Sequence, residues 1–215
     1  PAALLVRTLL DTTVNVPVVV AGMIILFILI VIRMSELVRS QTHAVEMHRE
    51  STSREKTLRR AGHALVAATD RDAMFAVAID AAETLVRDRP DWTVRLFAGS
   101  TDAMGLVATR GERPTHTPCV VGLSSLPVDA ARALAMGDAC VIRSLAEERP
   151  QVDEALGLSP RRPVALVVPV VVDDVVTGVL AVSLDRIPGE SRRRALETVC
   201  AQAGLAVETA ALTED

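Results

Sequence analysis

The chain has 215 residues, 50% of them apolar, with 23 basic and 27 acidic groups for a formal charge of −4. That length allows an ordinary core in one or two domains, and the acidic balance argues against a nucleic-acid surface. The cysteines, Cys119, Cys140 and Cys200, contain no CxxC pair, which excludes the usual zinc and disulfide frameworks.

Residues 1–13 read as an extracytoplasmic segment, and residues 14–32 as a transmembrane helix. Val16 to Ile32 holds no charge, and thirteen of its seventeen residues are Val, Ile, Leu or Phe. From residue 14 the stretch gives about 28 Å of helix, against a bilayer core of about 30 Å. Insertion energies of about −0.3 to −0.6 kcal/mol per such residue favour the membrane by about 4 to 8 kcal/mol, which Pro17 and Gly22 do not overturn. A secretory signal peptide is the competing reading, but its apolar core is shorter, and RMSELVRS after Ile32 has no small-x-small cleavage site. Seven basic residues from Arg33 to Arg60 follow the span and only Arg7 precedes it, so the C-terminal side is expected in the cytoplasm. The expected location is the cell membrane, with the lipid bilayer as a partner. Because the chain starts at Pro1 rather than Met, it reads as a piece of a longer polypeptide.

Residues 33–56 are polar, lack Gly and Pro, and are rich in helix formers, which predicts a helical linker continuing from the span. Leu37, Ala44, Ser51, Leu58 and Leu65 recur every seven residues, the spacing of a coiled-coil seam. Two readings stand: a weak parallel homodimer relaying through Leu37, Ala44, Leu58 and Leu65, or a solvated single helix. Residues 33–60 carry seven basic and four acidic groups, a net +3 suited to anionic headgroups. Residues 61–215 carry fifteen and twenty-two, a net −7. Arginine outnumbers the single Lys56 by twenty-two to one, a hint of a GC-rich bacterial genome.

In the remainder, Leu58, Leu65, Phe75, Ile79 and Leu85 fall at helical spacing, with TDRD marking a break and an N-cap. WTVRLFAG and MGLVATRG read as a strand hairpin, residues 110–126 as loop, VDAARALAMG as a short helix and ACVIRSL as a strand. PVALVVPVVV and VVTGVLAVSL form a second hairpin, with Asp173 and Asp174 as its turn rather than a catalytic pair. ESRRRALETVCAQAGLAVETAALTED is a long amphipathic helix.

This order of elements resembles a GAF domain. The likeness rests on RRPVALVVPVVVDDVVTGVLAVS, with its Gly178-Val179-Leu180 run, and on LETVCAQAGLAVETA, with Ala201-Gln202. LRRAGHALVAATDRDAMFAVAIDAAETL is similar to the family's first helices, so residues 57–215 read as the GAF-like sensory domain. The resemblance implies an α+β fold, an antiparallel sheet with helices packed on one face. It also implies a regulatory module that binds an unidentified small ligand or dimerises, with no cofactor named and any catalytic activity in an output domain beyond this chain. The ending LAVETAALTED is most similar to receptors of cyclic-di-GMP turnover. Alternatives are the sensory part of a histidine kinase, a ligand-free dimerisation module, and a Cys-dependent methionine sulfoxide reductase.

Chemistry-bearing motifs are sparse. There is no P-loop and no GGDEF motif. Glu154-Ala155-Leu156 coincides with the triplet of cyclic-di-GMP phosphodiesterases but reads as a Pro-bounded loop. His116 and Cys119 lie three apart in THTPC, where a thiol–imidazole pair could form. Arg110, Arg113 and Arg143 could receive an anion, so Arg110, His116, Cys119 and Arg143 are the candidate ligand contacts. No metal site is expected.

Overall fold

The computed structural model describes residues 16–112, 120–144 and 148–214; the side chains of 16–22, 35–51 and 212–214 lie outside that description. The chain divides into two compact units, Pro1–Thr52 and Ser53–Asp215.

Helix α1 covers Val16–Ala67. In the first unit the apolar side chains from Met23 to Ile32, and Met34, are exposed. The expected span lies partly outside the described residues, and among these no helix is long and apolar enough to cross a membrane.

The second unit contains the end of α1, α2 (Arg71–Val86), α3 (Val128–Ala135), α4 (Pro150–Leu156) and α5 (Glu190–Glu214). Its strands are β1 (Thr93–Ser100), β2 (Ala103–Gly111), β3 (Val120–Val121), β4 (Cys140–Arg143), β5 (Val164–Val172) and β6 (Val175–Leu184). They form one antiparallel sheet in the order β3-β2-β1-β6-β5-β4. The TDRD break acts as expected: the Asp70 carboxylate accepts from the Ala73 N–H at 2.7 Å and caps α2, an interaction worth about 1 kcal/mol.

Strand alternation divides the sheet into two faces. Val94, Leu96, Leu166, Val168, Leu180 and Val182 pack against Phe75, Ile79, Leu196 and Val199 of α2 and α5, with Leu65 of α1. Phe97, Val167, Val179 and Ala181 face the opposite way, onto Leu134 of α3 and Leu156 of α4. Helices therefore cover both faces, long ones on one side and short ones on the other, which corrects the one-face expectation. The physical reason is visible in β5 and β6: both are almost continuously apolar, as strands must be when neither face meets water.

Two local differences also arise. Residues 110–126 are not all loop, since β2 runs to Gly111 and a short β3 pairs with it before a 3-10 turn at Leu123–Ser125. Glu154-Ala155-Leu156 ends helix α4 rather than lying in a loop, and Gly157 closes that helix at φ +77°, a left-handed cap.

Asp173 and Asp174 are the hairpin tip, exposed and at φ 51° and 60° between the paired Val172 and Val175. Positive φ at both central residues is what a type I′ turn requires. Both side chains are exposed, so the turn reading accounts for their place in the chain.

Candidate functional site

Two regions of the second unit combine accessibility with organised chemistry. The first is a groove of about 1230 Å³ between the end of α1 and the second half of α5, floored by Met74 of α2. Leu58, Gly62, Val66, Leu205 and Ala206 give it apolar walls, and Arg59, His63 and Gln202 add polar groups. Val66 is 88% exposed and Leu205 63% exposed, so each presents most of a branched side chain to solvent. A buried oxygen of Gln202, Oε1, has no partner.

The relay residues fall differently from the heptad expectation. Leu65 is 2% exposed inside the domain's own core, and Leu58 packs against that core. The seven-residue spacing thus coincides at its C-terminal end with the stripe that binds α1 to its own sheet. Leu37 and Ala44 have side chains outside the described residues.

The second region is polar and lies at the C-terminus of α4. Arg95 on β1 donates from Nη1 to the carbonyl oxygens of Glu154 and Ala155, the latter at 2.8 Å. Ser183 Oγ donates to Leu156 O at 2.6 Å, and Arg162 Nε to Gly157 O at 3.1 Å. These donors satisfy carbonyls that a helix end leaves without intrahelical partners. Arg162 also pairs with the carboxylate of Glu112, whose pKa is lowered first by that hydrogen bond and then by the charges of Arg162, Arg95 and Arg161.

Sequence reading missed Arg95 and Arg162. The available signal was an arginine inside TVRLF, at an inward position of a strand whose neighbours are all buried.

The residues it did nominate are dispersed. Arg110 pairs with Asp80 at 2.6 Å and with Glu83 at 3.4 Å, tying β2 to α2. Arg143 is exposed on β4 beside a recess of about 320 Å³ that Cys140 and Asp129 also line. Strands β1, β6 and β5 separate β2 from β4, about 19 Å in all at about 4.8 Å per strand. Arg110 and Arg143 therefore do not converge. His116 and Cys119 lie outside the described residues.

Among described residues, no group of three His, Cys, Asp or Glu could hold a metal ion. Burial pushes the Cys140 thiol up to about 11 and raises the Cys200 thiol further, so neither carries the thiolate that nucleophilic chemistry needs.

The family profile of the GAF domain matches residues 51–208. The chain belongs to the GAF domain family. A search of curated proteins gives no match. Among solved structures, this GAF domain is similar to that of an Acinetobacter phosphoenolpyruvate-protein phosphotransferase, at 17% identity and TM-score 0.57, over 74% of this chain and 95% of the other. It is also similar to residues 122 to 287 of a methyl-accepting chemotaxis protein, at 15% identity and TM-score 0.53, over 73% and 99%. A third similar structure is free methionine-R-sulfoxide reductase from Neisseria meningitidis with its substrate, at 15% identity and TM-score 0.56, over 76% and 93%. At these identities the likeness is one of fold. The family is a sensory and signalling one.

Proposed function

We propose that this GAF domain is the sensory part of a bacterial membrane-anchored signalling protein, relaying a signal through paired helices to an output domain. The observation that carries the reading is the groove at which α1 and α5 meet. Both helices lead toward the ends of the domain's chain, and Val66 and Leu205 stand exposed beside the groove. A second copy packing there would bury them, and helix packings have discrete alternatives that convert small shifts into a switch.

The apolar run ending at Ile32 and the basic residues after it support anchoring in the cell membrane, with this domain on the cytoplasmic side. We take the output to be cyclic-di-GMP turnover, on the likeness of the C-terminal ending, with a sensor kinase as the alternative. His116, Cys119 and Arg143 remain proposed ligand contacts, whereas Arg110 is engaged by α2. A purely structural dimerisation module is favoured by one observation, the closely packed apolar cluster between the sheet and α3 and α4.

Sedimentation of a soluble fragment from Ser53 tests the relay. The wild type should be a dimer, and Val66→Glu with Leu205→Glu should make it a folded monomer, because charges would be forced into an apolar seam. Leu65→Glu should instead unfold the domain. A wild-type fragment that sediments as a monomer at high micromolar concentration removes the dimer relay.

A further inference from the structure

Arg95 and Arg162 are both buried, and a buried guanidinium is strongly destabilising unless it is paired. Arg95 gives its hydrogen bonds to main-chain oxygens, those of Glu154 and Ala155 at the end of α4 and that of Glu112 at 3.4 Å. On α4, Asp153 accepts from Ser144 Oγ at 2.5 Å. The anion facing Arg162 is Glu112.

That pair is asymmetric. The Arg162 side chain is 10% exposed and the Glu112 side chain 66% exposed, so a mostly buried cation is matched by a carboxylate standing largely in water. One edge of the guanidinium is held by Gly157 O, and the Nη2 end points at the position Glu112 fills. Arg161 adds a positive charge at the rim. A Cβ on Gly157 would stand 3.2 Å from Thr93 Cγ2 and 3.3 Å from Arg95 Cζ, so glycine keeps this wall open to close approach. The Thr93 hydroxyl there is fully buried and without a partner.

We propose that Arg162, flanked by Arg95 and Arg161, is a receptor for a small oxyanion, a carboxylate or phosphoryl group, and that Glu112 is the tethered occupant such a ligand displaces. The exchange conserves charge at the buried cation, and it releases the end of β2 from the end of α4. The proposal is independent of the membrane anchor and of the dimer.

Trp92, the protein's single tryptophan, supplies the readout, because its ring edge lies 3.4 Å from the position of a Cβ on Gly111, next to Glu112. Trp92 fluorescence is titrated with sodium phosphate and with sodium acetate, against sodium chloride at matched ionic strength. Glu112→Gln should bind one of the two oxyanions saturably, at least about tenfold more tightly than wild type, since the tethered competitor loses its charge. Preference for phosphate or for acetate identifies the ligand class. Glu112→Gln with Arg162→Gln should lose the response. If that double variant does not fold, the Arg162 Nε resonance of Glu112→Gln must shift on titration with the same oxyanion. A Glu112→Gln response equal to that of wild type, or to that of sodium chloride, overturns the proposal, as does binding that survives loss of Arg162.

Discussion

Helix α5 rests on the sheet through Gly204, and replacing that residue with alanine sets two effects of opposite sign against each other. Alanine in a helix interior is favoured over glycine by about 0.5–1 kcal/mol. At Gly204, however, the new Cβ would lie 2.1 Å from the carbonyl oxygen of Val171 and 3.2 Å from its carbon. Carbon–oxygen contacts of this kind settle at about 3.3 Å or more, so helix and strand must separate by about 1.2 Å. The obstructing atom is main chain at the β5 bulge between Val170 and Val171, and it cannot swing aside as a side chain would. Overpacking costs about 1–3 kcal/mol, so it wins, and Gly204→Ala should lower stability by about 1–2 kcal/mol. Gly62 in α1 is the control, because its Cβ would meet only the Gln202 amide, at 3.6 Å or more, an ordinary contact. Gly62→Ala should therefore raise stability by about 0.5–1 kcal/mol. Urea unfolding of the fragment from Ser53 reads both, and with m near 1–3 kcal/mol/M the midpoints should move in opposite directions by a few tenths of a molar or more. A Gly204→Ala protein as stable as wild type would refute the close seating of α5 on the bulge.

Other perturbations follow from the turn, the Glu112 pair and the topology. Asp173→Asn with Asp174→Gly should stabilise the domain by about 0.5–1 kcal/mol, because Asn-Gly suits positive φ at both positions; a lower urea midpoint would show that the aspartates do more than turn the chain. The pKa of Glu112 is lowered in the folded state from its ordinary 4.5, so the stability from its charge is complete above that value and is lost as pH falls through the folded pKa. Wild type should accordingly exceed Glu112→Gln at neutral pH and converge with it in acid; a gap unchanged from neutral to acid pH contradicts the pairing with Arg162. A reporter fused after Asp215 in the membrane-inserted chain should behave as cytoplasmic, and its export would reverse the orientation.

What the sequence determined by itself was local or strongly periodic. The Asp70 cap, the two hairpins, the Asp173-Asp174 turn and helix α5 could be read from short-range chemistry: a side chain reaching three residues ahead, a two-residue turn, an apolar stripe. The likeness at Gly178-Val179-Leu180 and Ala201-Gln202 placed these pieces in one family. Tertiary structure alone decided which face each strand turns to which helix, and hence that both faces are covered. Helix α4 also depended on it, because seven residues do not form a stable helix unaided, and its end is held by Arg95, Ser183 and Arg162 from β1, β6 and the turn before β5. The same holds for the functional candidates. Leu65 looked like a seam residue in one dimension and is core in three, while Glu112 and Arg162, fifty positions apart, meet only because β2 and the end of α4 adjoin. A charge pair across such a distance leaves no periodic trace in a single chain, since its energy depends on position in space and not on spacing along the backbone.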